Sequence, residues 1–215
     1  QLPSVGAGNI LRDMVNSERF STVRLTEIFR QAQESLIVMN AHRVNRGEMP
    51  NLRDVKSDFF FLPGRFEEEV AQTIVGLCTT RLPQKMGIPA DQIQVLCPTK
   101  KGPAGTVALN KLLQNALNPP SPSRQEKAFG DSVFREGDRV MQIRNNYDLL
   151  WKKTDENVLG AGIFNGDVGI IQTVDTATEQ VTILFDDRIA SYDFTQLNEL
   201  ELAYAMTVHK SQGSE

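Results

Sequence analysis

The sequence predicts an α/β fold in which a parallel sheet covered by helices carries an inserted all-β barrel. The first half of the chain repeats the order strand, loop, helix, and such repeats build parallel sheets. The proline-rich segment 118–123, Asn-Pro-Pro-Ser-Pro-Ser, ends that pattern. The segments that follow are short, apolar and separated by Asn, Asp and Gly, without a helical period, which is typical of a small barrel.

Apolar spacing predicts the individual elements of the α/β part. We expect helices at 10–15, from about 32 to 46, at 66–77 and at 107–116. Gly47 and Pro50 should end the second of these helices. Strands are expected at 22–25, 58–62 and 93–97.

Alternation of apolar and polar residues predicts the barrel strands. They are expected at 138–144, 168–174, 180–185 and 190–194, after which 200–208 should return to the parallel sheet.

Composition excludes several classes of protein. The chain has 215 residues, 40% hydrophobic content and a net charge of −4. We expect a cytoplasmic protein with no membrane partner, because no apolar run reaches membrane-spanning length and the N-terminus does not read as a signal peptide. No metal site is predicted, since His42 and His209 have no suitably spaced partners. Cys78 and Cys97 are expected to be small core residues.

Charge is distributed unevenly. From Gln92 to Gln125 there are four basic residues and no acidic one. This stretch is either a solvated surface or a groove that follows a nucleic-acid backbone. Within it, Cys97 ends a strand and the glycine-containing loop 98–106 leads into a helix, which is the geometry of an anion site but also a common turn.

Two polar segments of the barrel are candidate binding loops. Asn145-Asn146-Tyr147-Asp148 and Phe164-Asn165-Gly166-Asp167 combine aromatic rings with amides. The Asn-Gly-Asp sequence is first of all a turn signal and favours a hairpin. The alternative is that Asn146, Tyr147, Phe164 and Asn165 bind a single strand, by stacking on its bases and hydrogen bonding to them.

Three segments resemble one family in the expected order. Thr207 to Glu215, Thr-Val-His-Lys-Ser-Gln-Gly-Ser-Glu, closely resembles motif V of superfamily 1 DNA helicases of the RecD-like branch. Gln1-Leu2-Pro3-Ser4-Val5 resembles the end of motif III, and Leu25 to Gln31 resembles motif IV. The resemblance implies the second motor domain, RecA-like, with an inserted SH3-like barrel.

The same resemblance implies domain boundaries. Residues 1–20 would be the tail of the preceding motor domain and 21–130 the first part of the RecA-like domain. The SH3-like barrel would span 131–196, and 197–215 would return to the RecA-like domain. Because 135–141 resembles an entry segment of the family, it stays open whether part of the first barrel strand belongs to the parent sheet.

The resemblance also implies roles for individual residues. Arg30 and Gln1 would sense the γ-phosphate of ATP, a task that suits the always-charged guanidinium of Arg30. Gly213 and Glu215 would face the nucleotide. The implied DNA contacts are Thr99, Lys101, Gly105, Thr106, Thr207, His209 and Lys210.

Other parts of an ATP-driven motor are not in this sequence. No Gly-Lys dipeptide occurs, and the Asp155-Glu156 pair lies in a polar context, so the phosphate loop and the magnesium-binding strand end are expected on a missing N-terminal motor domain. The full-length protein is expected to use ATP and Mg²⁺ and to move 5′ to 3′ on single-stranded DNA, with recombination or repair proteins as further partners. The isolated chain is expected neither to bind the nucleotide stably nor to hydrolyse it. Two alternatives stay open: a non-catalytic nucleic-acid-binding or protein-docking module, and part of a conjugative relaxase-helicase.

Overall fold

The computed structural model describes residues 8–23, 34–54, 58–155 and 158–212. The chain divides into two units, residues 1–63 and 64–215.

Unit 1 contains two helices whose first turns are capped by side chains. Helix α1 spans Ile10–Asn16, and the side chain of Asn9 accepts a hydrogen bond from the amide of Arg12. Helix α2 spans Leu36–Asn45, and Ser35 caps it at the amide of Val38. Both caps satisfy amides that have no partner inside the helix. The two helices confirm the predictions made from apolar spacing.

The strand predicted at 58–62 is wrong. These residues form no strand, and Phe60 and Phe61 are about half exposed. An apolar run becomes a strand only when a neighbouring strand pairs with it, and the described residues provide none here. The other strand predicted in this unit was 22–25. Thr22 and Val23 are not in a strand, and residues 24–25 lie outside the described residues.

The α/β part of unit 2 begins with a nearly continuous helical segment. Helix α3 spans Glu67–Gly76, a π-helical turn spans Leu77–Arg81, and helix α4 spans Leu82–Met86. Three glutamates occupy the first turn of α3, where the helix dipole favours negative charge. Gly87 ends α4 with a left-handed φ of 66°, a conformation that favours glycine.

Two short parallel strands and one longer helix complete this part. Strand β1, Val95–Cys97, pairs in parallel with β11, Ala205–Thr207, in the register Val95 to Ala205. Helix α5 spans Thr106–Leu117 and buries Leu109 and Leu113. The core between these elements includes Cys78 and Cys97, which are buried free thiols, as predicted.

The second part of unit 2 is an antiparallel sheet of seven strands in the order β10-β4-β7-β8-β9-β5-β6. Its strands are β4 Arg139–Gln142, β5 Asn146–Lys153, β6 Leu159–Ile163, β7 Val168–Asp175, β8 Gln180–Phe185, β9 Arg188–Asp193 and β10 Leu200–Leu202. A separate hairpin pairs β2, Glu126–Phe129, with β3, Ser132–Arg135. A short helix α6, Val208–Gln212, follows β11. We call the seven-stranded sheet the barrel sheet.

Strands β4, β7, β8 and β9 confirm the four barrel strands predicted from alternation. Strands β2, β3, β5 and β6 were not predicted. The return to the parallel sheet occurs later than expected, because Leu200–Leu202 pairs with β4 and only Ala205–Thr207 pairs with β1.

The α/β class with a separate all-β sheet is therefore confirmed at this coarse level. The parallel sheet has two strands in the described part of the chain. The RecA-like assignment and the domain boundaries at 20, 130 and 196 stay predictions.

Candidate nucleic-acid interface

Two exposed aromatic rings meet at one end of the barrel sheet. Tyr147 lies at the start of β5 and Phe164 directly follows β6. Their ring centroids are 5.5 Å apart and their planes are inclined at 70°, an edge-to-face arrangement. Tyr147 is 66% exposed and Phe164 is 41% exposed. We call these two residues the aromatic pair.

Gly162 makes room for the ring of Phe164. It has a φ of +101°, and a Cβ added to it would lie 2.8 Å from Cζ of Phe164. The ring therefore lies closely over the backbone of this residue, which only glycine permits at such a φ. This role of Gly162 could not be predicted from the sequence, because glycine in a strand also marks bulges and bends.

Side-chain amides surround the aromatic pair. The backbone amide of Asn165 donates to Oδ1 of Asn145 at 2.9 Å, and Nδ2 of Asn145 lies 3.2 Å from the hydroxyl of Tyr147, to which it donates. Lys210 donates through Nζ to Oδ1 of Asn165. These bonds bring together Tyr147, Phe164, Asn165 and Lys210, four residues that the sequence singled out, and add Asn145, which it did not select.

The neighbouring Asn146 has a different role in the structure. Its Nδ2 donates to Glu199 at 3.0 Å, and its Oδ1 accepts from the amides of Asp148 and Leu149. Both ends of this side chain hold the loop in shape. Asparagine commonly bonds backbone amides just ahead of it in this way.

The segment 164–167 is a tight turn. The amide of Asp167 donates to the carbonyl of Phe164 at 3.0 Å, and the amide of Phe164 donates to the Asp167 carboxylate at 3.0 Å. The hairpin interpretation is wrong, however, because the strands on either side, β6 and β7, are not neighbours in the sheet. The turn instead links an edge strand to the middle of the sheet.

The loop 98–105 follows β1 and uses much of its own backbone internally. The first two amides of α5, from Thr106 and Val107, donate to the carbonyls of Thr99 and Lys100 at 3.2 Å. A Cβ on Gly105 would lie 2.4 Å from the carbonyl oxygen of Lys101, so glycine is required here. Because these two amides are occupied, the helix N-terminus offers a phosphate fewer donors than the strand-loop-helix pattern suggested.

The side chains of this loop differ in exposure. Lys101 and Thr99 are exposed, and the Thr99 hydroxyl donates to the carbonyl of Lys101 at 3.0 Å. Thr106 is buried. Lys100 forms a salt bridge with Glu201 at 3.1 Å. Lys101 is thus the more accessible cation of the two adjacent lysines.

The segment after β11 lies at the same edge of the parallel pair as that loop. Since β1 and β11 run in parallel and Cys97 pairs with Thr207, their carboxyl ends coincide. Thr207 is half-buried and accepts a hydrogen bond from the amide of Lys210 at 3.4 Å, while His209 is exposed. The two predicted DNA-contacting loops therefore leave the sheet side by side.

A buried carboxylate joins the α/β part to the barrel sheet. Asp138 is fully buried and accepts from Gln114 at 2.5 Å, Asn118 at 2.7 Å, the Arg135 amide at 2.7 Å and the Tyr204 hydroxyl at 2.9 Å. Burial raises the pKa of Asp138, against the opposing effect of the bonded donors. The sequence did not indicate this role, because Gln114, Asn118 and Tyr204 lie 24, 20 and 66 residues away from Asp138.

The four residues that the resemblance assigns to ATP, Gln1, Arg30, Gly213 and Glu215, lie outside the described residues. Within the described ranges, no cluster of three His, Cys, Asp or Glu side chains could hold a metal ion. Nor does any described helix have the length and apolarity needed to cross a membrane.

The chain is similar to several known proteins. A family model described as the SH3 domain of ATP-dependent RecD-like DNA helicases matches residues 109–185. The ATP-dependent RecD2 DNA helicase of Deinococcus radiodurans is 31% identical over 215 residues, which is 100% of this chain and 26% of that protein. The RecBCD enzyme subunit RecD of Buchnera aphidicola is 28% identical over 123 residues, or 57% of this chain and 18% of that protein.

The chain thus spans about a quarter or less of the length of these relatives. Its whole length aligns with one RecD-like helicase, and the family's SH3 model matches the region from α5 to β8. On these grounds residues 109–185 match the SH3 domain of RecD-like DNA helicases, and the similarities support a fragment of a RecD-like helicase that includes this SH3-like domain.

Proposed function

We propose that this chain supplies the second motor domain and the SH3-like barrel of an ATP-dependent helicase that moves 5′ to 3′ on single-stranded DNA. The polarity and the RecA-like character of the motor domain rest on the family resemblance. So do the domain limits, with the barrel at 131–196 between the two parts of the motor domain at 21–130 and 197–215.

One observation carries the DNA-binding part of the proposal. Tyr147, Phe164, Asn165 and Lys210 come together although up to 63 residues separate them in sequence, and the cluster combines exposed rings, amides and a cation. Aromatic faces stack on bases of any sequence, and lysine attracts the phosphate backbone. A helicase that moves along arbitrary sequences needs this kind of contact.

The single-stranded DNA would run from the aromatic pair toward the edge of the parallel sheet where β1 and β11 end. There Lys101 and His209 are exposed, and Thr99, Gly105 and Thr207 lie in the same two segments. We propose that these segments hold the DNA backbone. Thr106 is buried and its amide donates to the carbonyl of Thr99, so its contribution would be to hold the shape of this loop.

The nucleotide part of the proposal assigns Arg30 and Gln1 to the γ-phosphate and Gly213 and Glu215 to the nucleotide. ATP bound with Mg²⁺ would supply the free energy of hydrolysis that changes the grip on the strand. Arg30 would stabilise negative charge on the transferred phosphoryl group, a role for which a forked guanidinium is suited. The 215-residue chain alone is not expected to turn over ATP.

The experiment that tests the motor assignment uses the full-length gene product and Arg30→Ala. We expect DNA-stimulated ATPase to fall by about 10³-fold, as for other arginines that contact a transferring phosphoryl group, with single-strand affinity retained. Arg12→Ala, an exposed arginine on α1, is the matched control. Unchanged ATPase in Arg30→Ala would instead favour the non-catalytic binding module.

A second experiment tests the aromatic pair. Tyr147→Ala and Phe164→Ala should each weaken binding of an oligo-dT strand by about 5-fold to 150-fold, since one base stack contributes about 1–3 kcal/mol. Leu150→Ala is the control, because Leu150 is an exposed apolar residue on the same strand as Tyr147. Wild-type affinity in both aromatic variants, at unchanged fold stability, would remove the pair from the DNA site.

A further inference from the structure

The two segments that carry the aromatic pair converge on one residue, Gln142 at the end of β4. Its backbone amide donates to the carbonyl of Asp167 at 2.9 Å, and its carbonyl accepts from the amide of Gly166 at 2.9 Å. These two bonds fix the turn that presents Phe164 and Asn165. Gln142 is fully buried, so its side chain also needs partners inside the protein.

The side chain of Gln142 reaches the other segment through a chain of hydrogen bonds. Its Oε1 accepts from the hydroxyl of Tyr192 at 2.9 Å, and its Nε2 donates to Oε2 of Glu199 at 2.9 Å. The same carboxylate oxygen accepts from Nδ2 of Asn146 at 3.0 Å. Asn146 in turn holds the backbone amides of Asp148 and Leu149, so the network ends beside Tyr147.

The chemistry at position 142 requires an amide. One end of the side chain must accept from a phenol and the other must donate to a carboxylate, and a terminal amide provides both. Tyr192 is also fully buried, and burial raises the pKa of its hydroxyl, so it stays a donor. The direction of each bond in the network is therefore determined.

We propose that Gln142 and Glu199 are positioning residues for single-strand binding, which hold Tyr147 and Phe164 in the arrangement that accepts a base. Neither residue would contact the DNA. Gln142 is buried, and Glu199 acts through Asn146. The inference rests on the proposed function of the aromatic pair. It adds two residues that the sequence did not single out.

The test is a double-mutant cycle in the full-length gene product, measured as affinity for a fluorescent oligo-dT strand. Glu199→Leu should weaken binding by about threefold to tenfold, because it displaces the ring of Tyr147 without removing it. Glu199→Gln should restore most of the affinity, because its amide oxygen accepts the same bonds. In a Tyr147→Ala background, Glu199→Leu should cause little further loss, since the ring that it positions is gone.

Tyr192→Phe provides a second variant that opens no large cavity and keeps the proposal testable if Glu199→Leu does not fold. It should weaken binding about twofold to threefold, again only when Tyr147 is present. Equal losses with and without Tyr147, or wild-type affinity in both variants while Tyr147→Ala binds weakly, would overturn the positioning role alone. Wild-type affinity in Tyr147→Ala and Phe164→Ala would overturn the proposed base-stacking site and the positioning role together.

Discussion

Lys210, in the short helix after β11, donates a hydrogen bond to the side-chain oxygen of Asn165 in the turn that carries Phe164. The two residues are 45 positions apart in sequence. The bond connects the segment that resembles helicase motif V to the barrel sheet. A change in the position of that segment would therefore be transmitted to the aromatic pair.

Lys210→Met should weaken single-strand binding and reduce its salt dependence. A lysine that contacts one phosphate contributes about 0.7 to the slope of log affinity against log salt for a single strand. Titrations of the full-length gene product at several salt concentrations measure this slope. Lys152→Met, at an exposed lysine on β5, should leave the slope unchanged. A wild-type slope in Lys210→Met would limit Lys210 to its bond with Asn165.

Gly162→Ala should displace the ring of Phe164. The added Cβ would lie 2.8 Å from the ring, and alanine at a φ of +101° is strained by about 1–3 kcal/mol. We expect lower stability to denaturant and a loss of strand affinity close to that of Phe164→Ala.

Gly130→Ala is the matched control for this substitution. Gly130 also has a positive φ, +56°, but no heavy atom lies within 4 Å of the added Cβ. It should lose about 1–2 kcal/mol from the backbone alone and keep its affinity for the strand. If Gly162→Ala bound the strand as wild type does, the position of Phe164 over this glycine would not matter for binding.

Local pattern was enough to predict part of this structure. Strand β8, Gln180–Phe185, alternates between buried and more exposed residues, and this is the period that predicted it. Helix α5 and the loop before it were also predicted. In these elements the local sequence and the tertiary environment favour the same conformation.

Long-range pairing accounts for the elements that were missed. Strand β6 contains Gly160 and Gly162, which weaken the alternation of apolar residues, yet these glycines leave room for the rings of Trp151 and Phe164. Conversely, the run at 58–62 is apolar enough for a strand but finds no strand partner among the described residues. Local composition does not contain that information.

In the candidate site too, local sequence predicted some features, while others depend on contacts between residues far apart in the chain. Aromatic rings next to amides in 145–148 and 164–167 indicated two segments that the structure brings into contact. The sequence analysis selected Asn146 and not Asn145, but in the structure Asn145 bonds to Asn165 and Asn146 bonds to Glu199. Local sequence does not show which of two adjacent amides points in which direction. The role proposed for Gln142 could not be predicted from the sequence, because it depends on burial and on partners far away in the chain.

Asp138 should give the protein a characteristic pH dependence. Its pKa in the folded state is raised, chiefly by burial. The stabilisation linked to its proton is therefore fully present below the unfolded pKa and is lost as pH rises through the folded pKa. The difference in unfolding free energy between wild type and Asp138→Asn should fall as pH rises above about 4 and then level off.

Denaturant unfolding of both proteins between about pH 3 and 7 measures this difference, and subtraction removes the titration of the other acids. Tyr204→Phe removes one donor from Asp138 and should extend the decline to higher pH. A difference that grew with pH would mean that the bonded donors outweigh burial.

Asp58 should stabilise helix α2 only while its carboxyl group is ionised. Its carboxylate accepts from the Ser35 hydroxyl at 2.5 Å and from the amides of Leu36 and Ile37 at 2.8 and 3.2 Å, so it caps the helix from 22 residues away. The Ser35 hydroxyl chiefly holds the pKa of Asp58 below its usual value, and the two amides act in the same direction. A lowered pKa contributes stability above the unfolded pKa that is lost as pH falls through the folded value.

Asp58→Asn should therefore increase hydrogen exchange at the α2 amides at pH 7, and the difference from wild type should vanish as pH falls below about 4. Asp13→Asn serves as the control, since Asp13 is an exposed acid on helix α1 of the same unit. Equal exchange in wild type and Asp58→Asn at pH 7 would contradict the capping role. Helix α2 would then depend on Ser35 alone for its first turn, and Ser35→Ala should account for the whole effect of removing both side chains.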